Sequence, residues 1–482
     1  MDECAFFEVR RLLSKNLSPE EVKSHLLKRG FLESDVELAI EKAAIDLRVE
    51  RVDEEKVMAK RFLTKELLDR IGYGFVSHPF LNILFSFTGA SYFIIGLING
   101  LRTVLSLVYS SYMREFSKVH ILNKSSISRA GIIYGFSFLI MSFAVVLGSP
   151  LLYSLAFLAG ALGVVAHGEL YVTFMRSHLK KERMGAFLSK ISIYGVIITI
   201  VSLLISGFVM DLFPRAGKDI TFTLFGTAFN FTIYGYLISF EITAFAFILS
   251  GFILSRMKQK TTPTDVKLSS FAREFWTRWK IHSKFFVRNK VVVLLVLTSI
   301  ITGIVQVLGN SFYGIFIYNN FKDQFLGGFL NVAIVFAIAV LAAFVGPWIT
   351  RKLQDKIGVS PMLVFGTLLT AMLPLSLVFN PHLLVVAIAA ALSIVGASIL
   401  GMAQGFFTKR LLSDTERQVY FSFIGLAVAI PLLVLTPIGA YFAHAYSLQL
   451  LFKILICLLV FAATPLYFVI VLLYERNLEK VF

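Results

Sequence analysis

The sequence predicts an all-α membrane protein that begins with a small water-soluble helical module. Of its 482 residues, 57% are hydrophobic, 14% are aromatic and only 16% are charged, whereas soluble domains are about one quarter charged. A soluble protein of this size could not bury so much apolar surface. Twelve apolar stretches reach the length of about 20 residues that a membrane-spanning helix needs. The composition therefore excludes a disordered chain, a fibrous protein and an ordinary soluble enzyme.

The charges separate the chain into two parts. Residues 1–70 hold 16 acidic and 14 basic residues, and the remainder holds 14 acidic and 32 basic residues, which together give a net charge of +16. The basic excess lies between the apolar stretches, as the positive-inside rule expects of a membrane protein. The lipid bilayer is therefore an expected partner, and nucleic acid is not.

Residues 1–50 are predicted to form a small helical cytoplasmic module. Ser18, Pro19 and Glu21 have the order of a capping box with proline at the first helical position. About three helices are expected, loosely similar to a UBA-like fold. Residues 1–70 could recruit a cytoplasmic protein partner or act only as a folding element. Residues 51–72 are predicted to be an amphipathic linker helix that lies on the membrane surface.

The rest of the chain divides into two predicted bundles of six helices. The N-terminal bundle covers 73–255, the basic cytoplasmic central loop 256–288, the C-terminal bundle 289–474, and a cytoplasmic tail 475–482. The twelve predicted spans lie at 73–90, 92–116, 129–148, 151–176, 184–211, 233–255, 289–318, 325–349, 360–379, 382–407, 417–443 and 447–474.

The positions of Lys and Arg in the loops predict the orientation. Loops on one side are rich in bases, while the opposite loops hold only Arg215, Lys218 and Lys322. We therefore place the basic side and both termini in the cytoplasm, and we expect an integral protein of the plasma membrane. Within the central loop, Phe275 and Trp279 belong to an aromatic series that predicts an interfacial amphipathic helix.

The two halves contain an internal repeat. Matching residues follow equivalent spans at a separation of about 235 residues: Glu182 with Glu416, Gly207 with Gly439, and Arg114 with Arg351. Duplicated units of this kind are typical of secondary transporters, whose binding site lies between the two repeats.

The segment from Gly346 to Gly358 resembles the short loop after the eighth span in the major facilitator superfamily. It has the two glycines with a cluster of acids and bases between them, although Asp355 comes late in the cluster. The resemblance implies two six-helix bundles that transport a solute, with Gly346, Arg351, Asp355 and Gly358 in a cytoplasmic gate loop. It also implies that spans 1, 4, 7 and 10 line a central cavity.

Ionisable side chains within the predicted spans are few, and each costs about 2.5–3.5 kcal/mol to insert. Glu169 and Lys190 each lie seven residues from a basic residue at the cytoplasmic boundary, which is about 10 Å deep on adjacent antiparallel helices. We predict an ion pair between them. It is either a static contact between helices or a gate that couples transport to protons.

Arg102 lies near the middle of its predicted span, with no acidic residue close in sequence. It needs a partner from another helix, for which Glu241 is the available acid, or an anionic substrate. Lys453 is close enough to the outer surface to extend its ammonium group into water.

Uncharged polar residues in the spans are candidates for the wall of a cavity or for hydrogen bonds between helices. Gln306, Asn310 and Tyr313 share one face of a helix because of their spacing. The remaining candidates are Asn82, Ser86 and Gln404.

These observations predict a secondary active transporter that moves a small solute by alternating access, with proton coupling through Glu169 as one option. Two alternatives stay open: a non-transporting membrane sensor or scaffold whose N-terminal module recruits a partner, and a translocator of lipids or hydrophobic compounds. No enzymatic motif, cofactor or metal site is expected, because no phosphate-binding glycine loop and no cysteine or histidine cluster is present.

Overall fold

The computed structural model describes residues 3–14, 17–119, 124–179, 181–213, 217–224, 227–259, 268–380 and 382–479. Eleven helices in these ranges are long and apolar enough to cross a membrane. Residues 260–267 of the predicted central loop and 480–482 of the predicted tail lie outside the described residues.

The helices are numbered in chain order. The first half contains α1 (Glu3–Ser14), α2 (Pro19–Leu27), α3 (Glu33–Phe75), α4 (His78–Phe87), α5 (Tyr92–Val119), α6 (Lys124–Val146), α7 (Pro150–His178), α8 (Lys181–Leu212), the strands β1 (Lys218–Leu224) and β2 (Thr227–Ile233), and α9 (Gly235–Ser255). The second half contains α10 (Ala272–Arg288), α11 (Lys290–Asn320), α12 (Gly328–Ile357), α13 (Val359–Thr370), α14 (Met372–Phe379), α15 (Leu383–Leu411), α16 (Asp414–Ala445), α17 (Leu448–Cys457), a π-helical segment (Leu458–Ala463) and α18 (Thr464–Glu479).

The N-terminal helices α1 and α2 pack against the beginning of α3. Ser18 and Glu21 form the expected capping box at the start of α2, because each side chain bonds to the backbone N–H of the other residue. That hydrogen bonding also lowers the pKa of Glu21. Val9, Val22 and Val36 belong to a fully buried apolar cluster that joins the three helices.

Helix α3 continues without a break from this module into the bundle, so the prediction of a linker on the membrane surface is wrong. Phe62 and Lys65 are almost fully buried, and α3 packs against α8 and α9. A charged stretch can enter the bundle because, as described below, its buried charges neutralise one another.

The helix ends at Phe75, so the predicted first span 73–90 is not one continuous helix. A short break follows at Val76 and Ser77, and α4 then begins with Pro79 in its first turn. Proline fits there because the first N–H groups of a helix have no partner within the helix.

The two halves of the chain form separate groups of helices that meet along three seams. In the first half α6 packs against α7 and α9, and in the second half α15 packs against α12 and α13. Between the halves, α5 packs against α16, α8 against α12, and α4 against α11. We call the end with Arg114, Arg256 and Lys409 the basic end, and the opposite end, with β1 and β2, the hairpin end.

The β-hairpin was not predicted. Its strands pair antiparallel, with Lys218 opposite Ile233 and Leu224 opposite Thr227. Alternating Thr and apolar residues in Thr221–Leu224 are typical of a strand, but β1 as a whole is only seven residues long.

The proposed gate loop is mainly helical, which corrects another prediction. Arg351 and Asp355 are exposed residues of the last turns of α12, and Gly346 lies within the same helix. Gly358 ends the helix with φ of 75°, a conformation that favours glycine. A Cβ at Gly346 would lie 2.8 Å from the Ser398 Cβ, so this glycine allows α12 to approach α15.

The aromatic helix of the central loop is present as α10, but its aromatic side faces the protein. Phe275 is 1% exposed and contacts the rings of Tyr112 in α5 and Phe423 in α16. Trp276 is exposed. Helix α10 therefore covers the seam between the halves at the basic end.

Two glycines of α15 give a test of this packing. A Cβ at Gly396 would lie 2.6 Å from the Leu369 Cβ and 2.7 Å from the Thr370 nitrogen, whereas a Cβ at Gly401 would meet nothing within 4 Å. We expect Gly396→Ala to lower the free energy of unfolding by about 1–3 kcal/mol. Gly401→Ala should leave it unchanged or raise it by about 0.5–1 kcal/mol. Thermal unfolding in detergent measures both, and equal losses would contradict the assigned contact of α13 with α15.

Candidate functional site

A cavity of about 320 Å³ lies between the two halves. Helix α5 contributes to its wall from the first half, and α11, α13, α15 and α16 contribute from the second. Its polar groups are amides and hydroxyls. The lining includes Thr103, Ser299, Thr302, Gln306, Thr370 and Gln404, and the glycines Gly303, Gly401 and Gly425.

The three polar residues predicted on one face of α11 separate in the structure. Gln306 lines the cavity. Asn310 is exposed, and its backbone carbonyl accepts a hydrogen bond from Asn82 of the other half at 2.8 Å. Tyr313 is buried and packs on the Phe452 ring, with 5.4 Å between ring centroids. Gln404 lines the cavity and donates a hydrogen bond to the Tyr467 hydroxyl.

A chain of polar side chains joins α4, α5 and α11 near the middle of the bundle. Asn99 donates to the Asn82 side-chain oxygen at 2.8 Å. Asn82 also faces the His78 ring, with 3.2 Å between Nδ2 and Nδ1. The other ring nitrogen of His78 contacts Arg102 Nη1. Because a guanidinium can only donate, that nitrogen accepts and His78 is neutral.

Arg102 does not pair with Glu241, which had been its candidate acid. Its guanidinium carbon lies 4.3 Å from the centroid of the Phe157 ring, and Glu241 is an exposed residue on α9. Ser86, another polar candidate on α4, bonds only locally, to the Ile83 carbonyl at 2.6 Å. Lys453 is exposed, in agreement with its prediction.

The predicted ion pair of Glu169 with Lys190 is not formed. Glu169 accepts from Ser110 and from Arg114, whose Nη2 lies 3.1 Å from Glu169 Oε1. Lys190 is exposed on α8, a helix that packs against α3, α9 and α12. The prediction paired Glu169 with the helix that follows it in sequence, α8, but the structure places α5 beside Glu169.

Arg114 also connects the two halves. Its Nη1 donates to the Phe421 carbonyl of α16 at 2.7 Å, and Lys118, one turn further on, donates to the Ser422 hydroxyl at 2.7 Å. Glu169 therefore influences the contact between the halves indirectly, because it binds the Arg114 guanidinium that reaches α16.

The sequence reasoning missed a buried charge cluster between α3, α7 and α9. Lys65 Nζ lies 2.6 Å from Asp69 Oδ2, with side chains only 2% and 7% exposed. Ser250 donates to Asp69, and His167 Nε2 lies 3.6 Å from Asp69 Oδ2. Lys65 Nζ also lies 3.3 Å from the Tyr171 ring centroid. The four-residue spacing of Lys65 and Asp69 on one helix face was the available signal.

None of these groups forms a metal centre. Among the residues that the structure describes, no group of three or more His, Cys, Asp or Glu side chains could hold a metal ion.

The buried pair can be tested by a mutant cycle. Asp69→Asn leaves the buried Lys65 ammonium with only the longer contact to Glu66, whose Oε1 is 3.4 Å away, so we expect a loss of up to about 3–5 kcal/mol of unfolding free energy. The double variant Lys65→Met with Asp69→Asn should recover most of that loss. Thermal unfolding measures the cycle, and additive losses for the two substitutions would contradict a direct pair.

No family model matches the chain, and no curated protein matches it. Solved structures do resemble it. A mutant of the nucleoside transporter NupG superposes with a TM-score of 0.68 at 11% identity, over 86% of this chain and 98% of that chain. A bacterial homologue of the iron transporter ferroportin in an inward-facing state has a TM-score of 0.60 at 13% identity, over 86% of this chain and 98% of that chain.

A third similar structure is a bacterial homologue of the lysosomal transporter Spinster in an inward-facing, unoccupied conformation. Its TM-score is 0.58 at 15% identity, over 89% of this chain and 98% of that chain. The similarity covers both halves, because it extends over almost the whole of each neighbour. The chain therefore has the fold of major facilitator superfamily transporters and is an integral membrane protein.

Proposed function

We propose that the protein is a secondary active transporter that moves a small solute through the central cavity by alternating access. The observation that carries this proposal is a cavity between the halves, lined by α5 of the first half and by α11, α13, α15 and α16 of the second. Transporters built from repeats place their site in this position and move one half against the other. The similarity to transporters of nucleosides and iron supports transport in general, and it assigns neither substrate to this chain.

The closure lies at the hairpin end. Phe80 of α4 meets the Phe329 ring of α12, with 5.7 Å between centroids. Asp211 of α8 accepts from the backbone N–H groups of Phe329 and Leu330 at 2.9 and 2.7 Å. At the basic end, the described residues of α7 and α15 have no extensive contact, while α10 packs over α5 and α16.

We further propose that the end of α3 together with α4 makes a first span, which brings the total to twelve. The positive-inside rule then places the basic end and both termini in the cytoplasm of the plasma membrane. The amide and hydroxyl groups of Gln306, Ser299 and Thr302 in the cavity wall favour a polar solute over a lipid. The partner of the N-terminal helices stays a prediction.

The proposal retains proton coupling through Glu169, whose ion-pair partner is Arg114 instead of Lys190. A protonated Glu169 would lose its charge attraction to Arg114 and loosen the bridge from α7 through Arg114 to α16. Protons would then bias how the halves contact each other. The Glu169 side chain is 29% exposed, so water can deliver the proton.

Alternating access predicts two distances between spin labels at the basic ends of α7 and α15. In a cysteine-free chain, the exposed residues Arg176 and Lys409 are replaced by cysteine and labelled. We expect double electron–electron resonance to show two populations, one with a long and one with a short distance between the labels. Crosslinking Phe80→Cys to Phe329→Cys should remove the short one, because it holds the hairpin end closed.

The matched control crosslinks Tyr318→Cys to Phe329→Cys, which lie within one half with their rings 4.7 Å apart. It should preserve both populations. A single distance in every variant would contradict transport and favour the sensor or scaffold.

The coupling role predicts pH dependence of the same two populations. Acidification should shift the ratio in the wild-type chain by more than about threefold, whereas Glu169→Gln should fix the ratio at all pH values because its amide does not titrate. Glu241→Gln, at an exposed carboxylate on α9, is the control and should titrate as wild type. An unaltered pH response in Glu169→Gln would assign coupling elsewhere.

A further inference from the structure

Arg102 carries a positive charge that no carboxylate of the described residues neutralises. Its hydrogen-bond partner there is the His78 ring, and one face of the guanidinium lies against Phe157. Neither contact supplies a negative charge. Of the five N–H donors of a guanidinium, those on Nε and Nη2 have no hydrogen-bond acceptor among the described residues.

Four other cations in or near the spans have acidic partners or face outward. Lys65 pairs with Asp69, and Arg114 pairs with Glu169. Lys190 and Lys453 are exposed. Arg102 differs from these four because no described carboxylate compensates its charge, and a lone charge within a membrane span is unfavourable.

Arg102 lies beside the cavity in sequence: it is partly exposed, and the next residue, Thr103, lines the cavity. The neutral His78 ring accepts from Nη1 and lies against Asn82, which is 1% exposed. Asn82 receives a hydrogen bond from Asn99 and donates to α11. The free donors are therefore preorganised for a ligand and do not depend on a mobile side chain.

We propose that Arg102 binds the anionic group of the transported solute, and that this solute is a small molecule with one carboxylate or phosphate group. The inference rests on the proposed transport function. A planar guanidinium matches the oxygen atoms of both groups through paired N–H donors. One uncompensated positive charge fits one negative charge. The solute's remaining polar groups face the amides and hydroxyls of α11 and α15 across the cavity.

The test measures whether the cavity attracts anions at Arg102. Cys4 and Cys457 are replaced by serine, and Thr103→Cys is then introduced as the one labelling site. It is labelled with either of two methanethiosulfonate reagents, one with a negatively charged sulfonate group and one with a positively charged trimethylammonium group. With Arg102 present, we expect the anionic reagent to react faster. The ratio of the two rates should fall roughly tenfold in Arg102→Gln and persist in Arg102→Lys. An unchanged ratio in Arg102→Gln, or no labelling by either reagent, would overturn the proposal.

A second measurement needs no substitution at Arg102. Labelling of the same introduced cysteine is compared in sodium chloride, sodium acetate and sodium phosphate at equal ionic strength. Slower labelling in acetate supports a carboxylate solute, and slower labelling in phosphate supports a phosphorylated one. Equal rates in all three salts contradict the proposal. The spin-label distances are independent of this readout: two distances with equal labelling rates retain transport and reject the anion site, while one distance rejects transport itself.

Discussion

Charge within the bundle interior is the constraint on which the rest of this structure depends. An ionisable side chain in a membrane-spanning helix costs several kcal/mol unless another group compensates it. The Lys65–Asp69 pair lies within one helix and is almost inaccessible to solvent, so we assign it a structural role. Arg114 and Glu169 join different helices and are partly exposed. Arg102 has only an uncharged ring and an aromatic face. These three arrangements separate what stabilises the fold from what can respond to a proton or a ligand.

Small residues decide where the halves can approach each other. A Cβ at Gly100 would lie 2.8 Å from Thr436 Cγ2, and one at Gly425 would lie 2.8 Å from Ser111 Oγ. Both close contacts join α5 to α16, the pair of helices that packs most extensively between the halves. Aromatic contacts join the halves at both ends, Phe80 with Phe329 at the hairpin end and Phe275 with Tyr112 and Phe423 at the basic end.

The sequence predicted the class of fold well because hydrophobic length and loop charge are local properties. The spans from α5 onward agree with the predicted ranges within a few residues, apart from α12, which extends past Lys352 to Ile357. The start of the bundle was predicted poorly. Residues 51–72 carry too many charges for a hydropathy pattern to detect, and only contacts with α7 and α9 make Lys65 and Asp69 compatible with burial.

The sequence predicted several polar residues of the candidate site, but it did not predict which residues they contact. Gln306 and Gln404 line the cavity, and Asn82 and Arg102 belong to the polar chain around His78, because polar residues are rare in spans and therefore conspicuous. Their partners came from distant segments: Glu169 binds Arg114 and not Lys190. Sequence by itself determined that this chain crosses a membrane, where most of its apolar segments lie and which loops are basic. Tertiary structure alone decided which charges meet, since the order of helices around a bundle is set by packing and not by proximity along the chain.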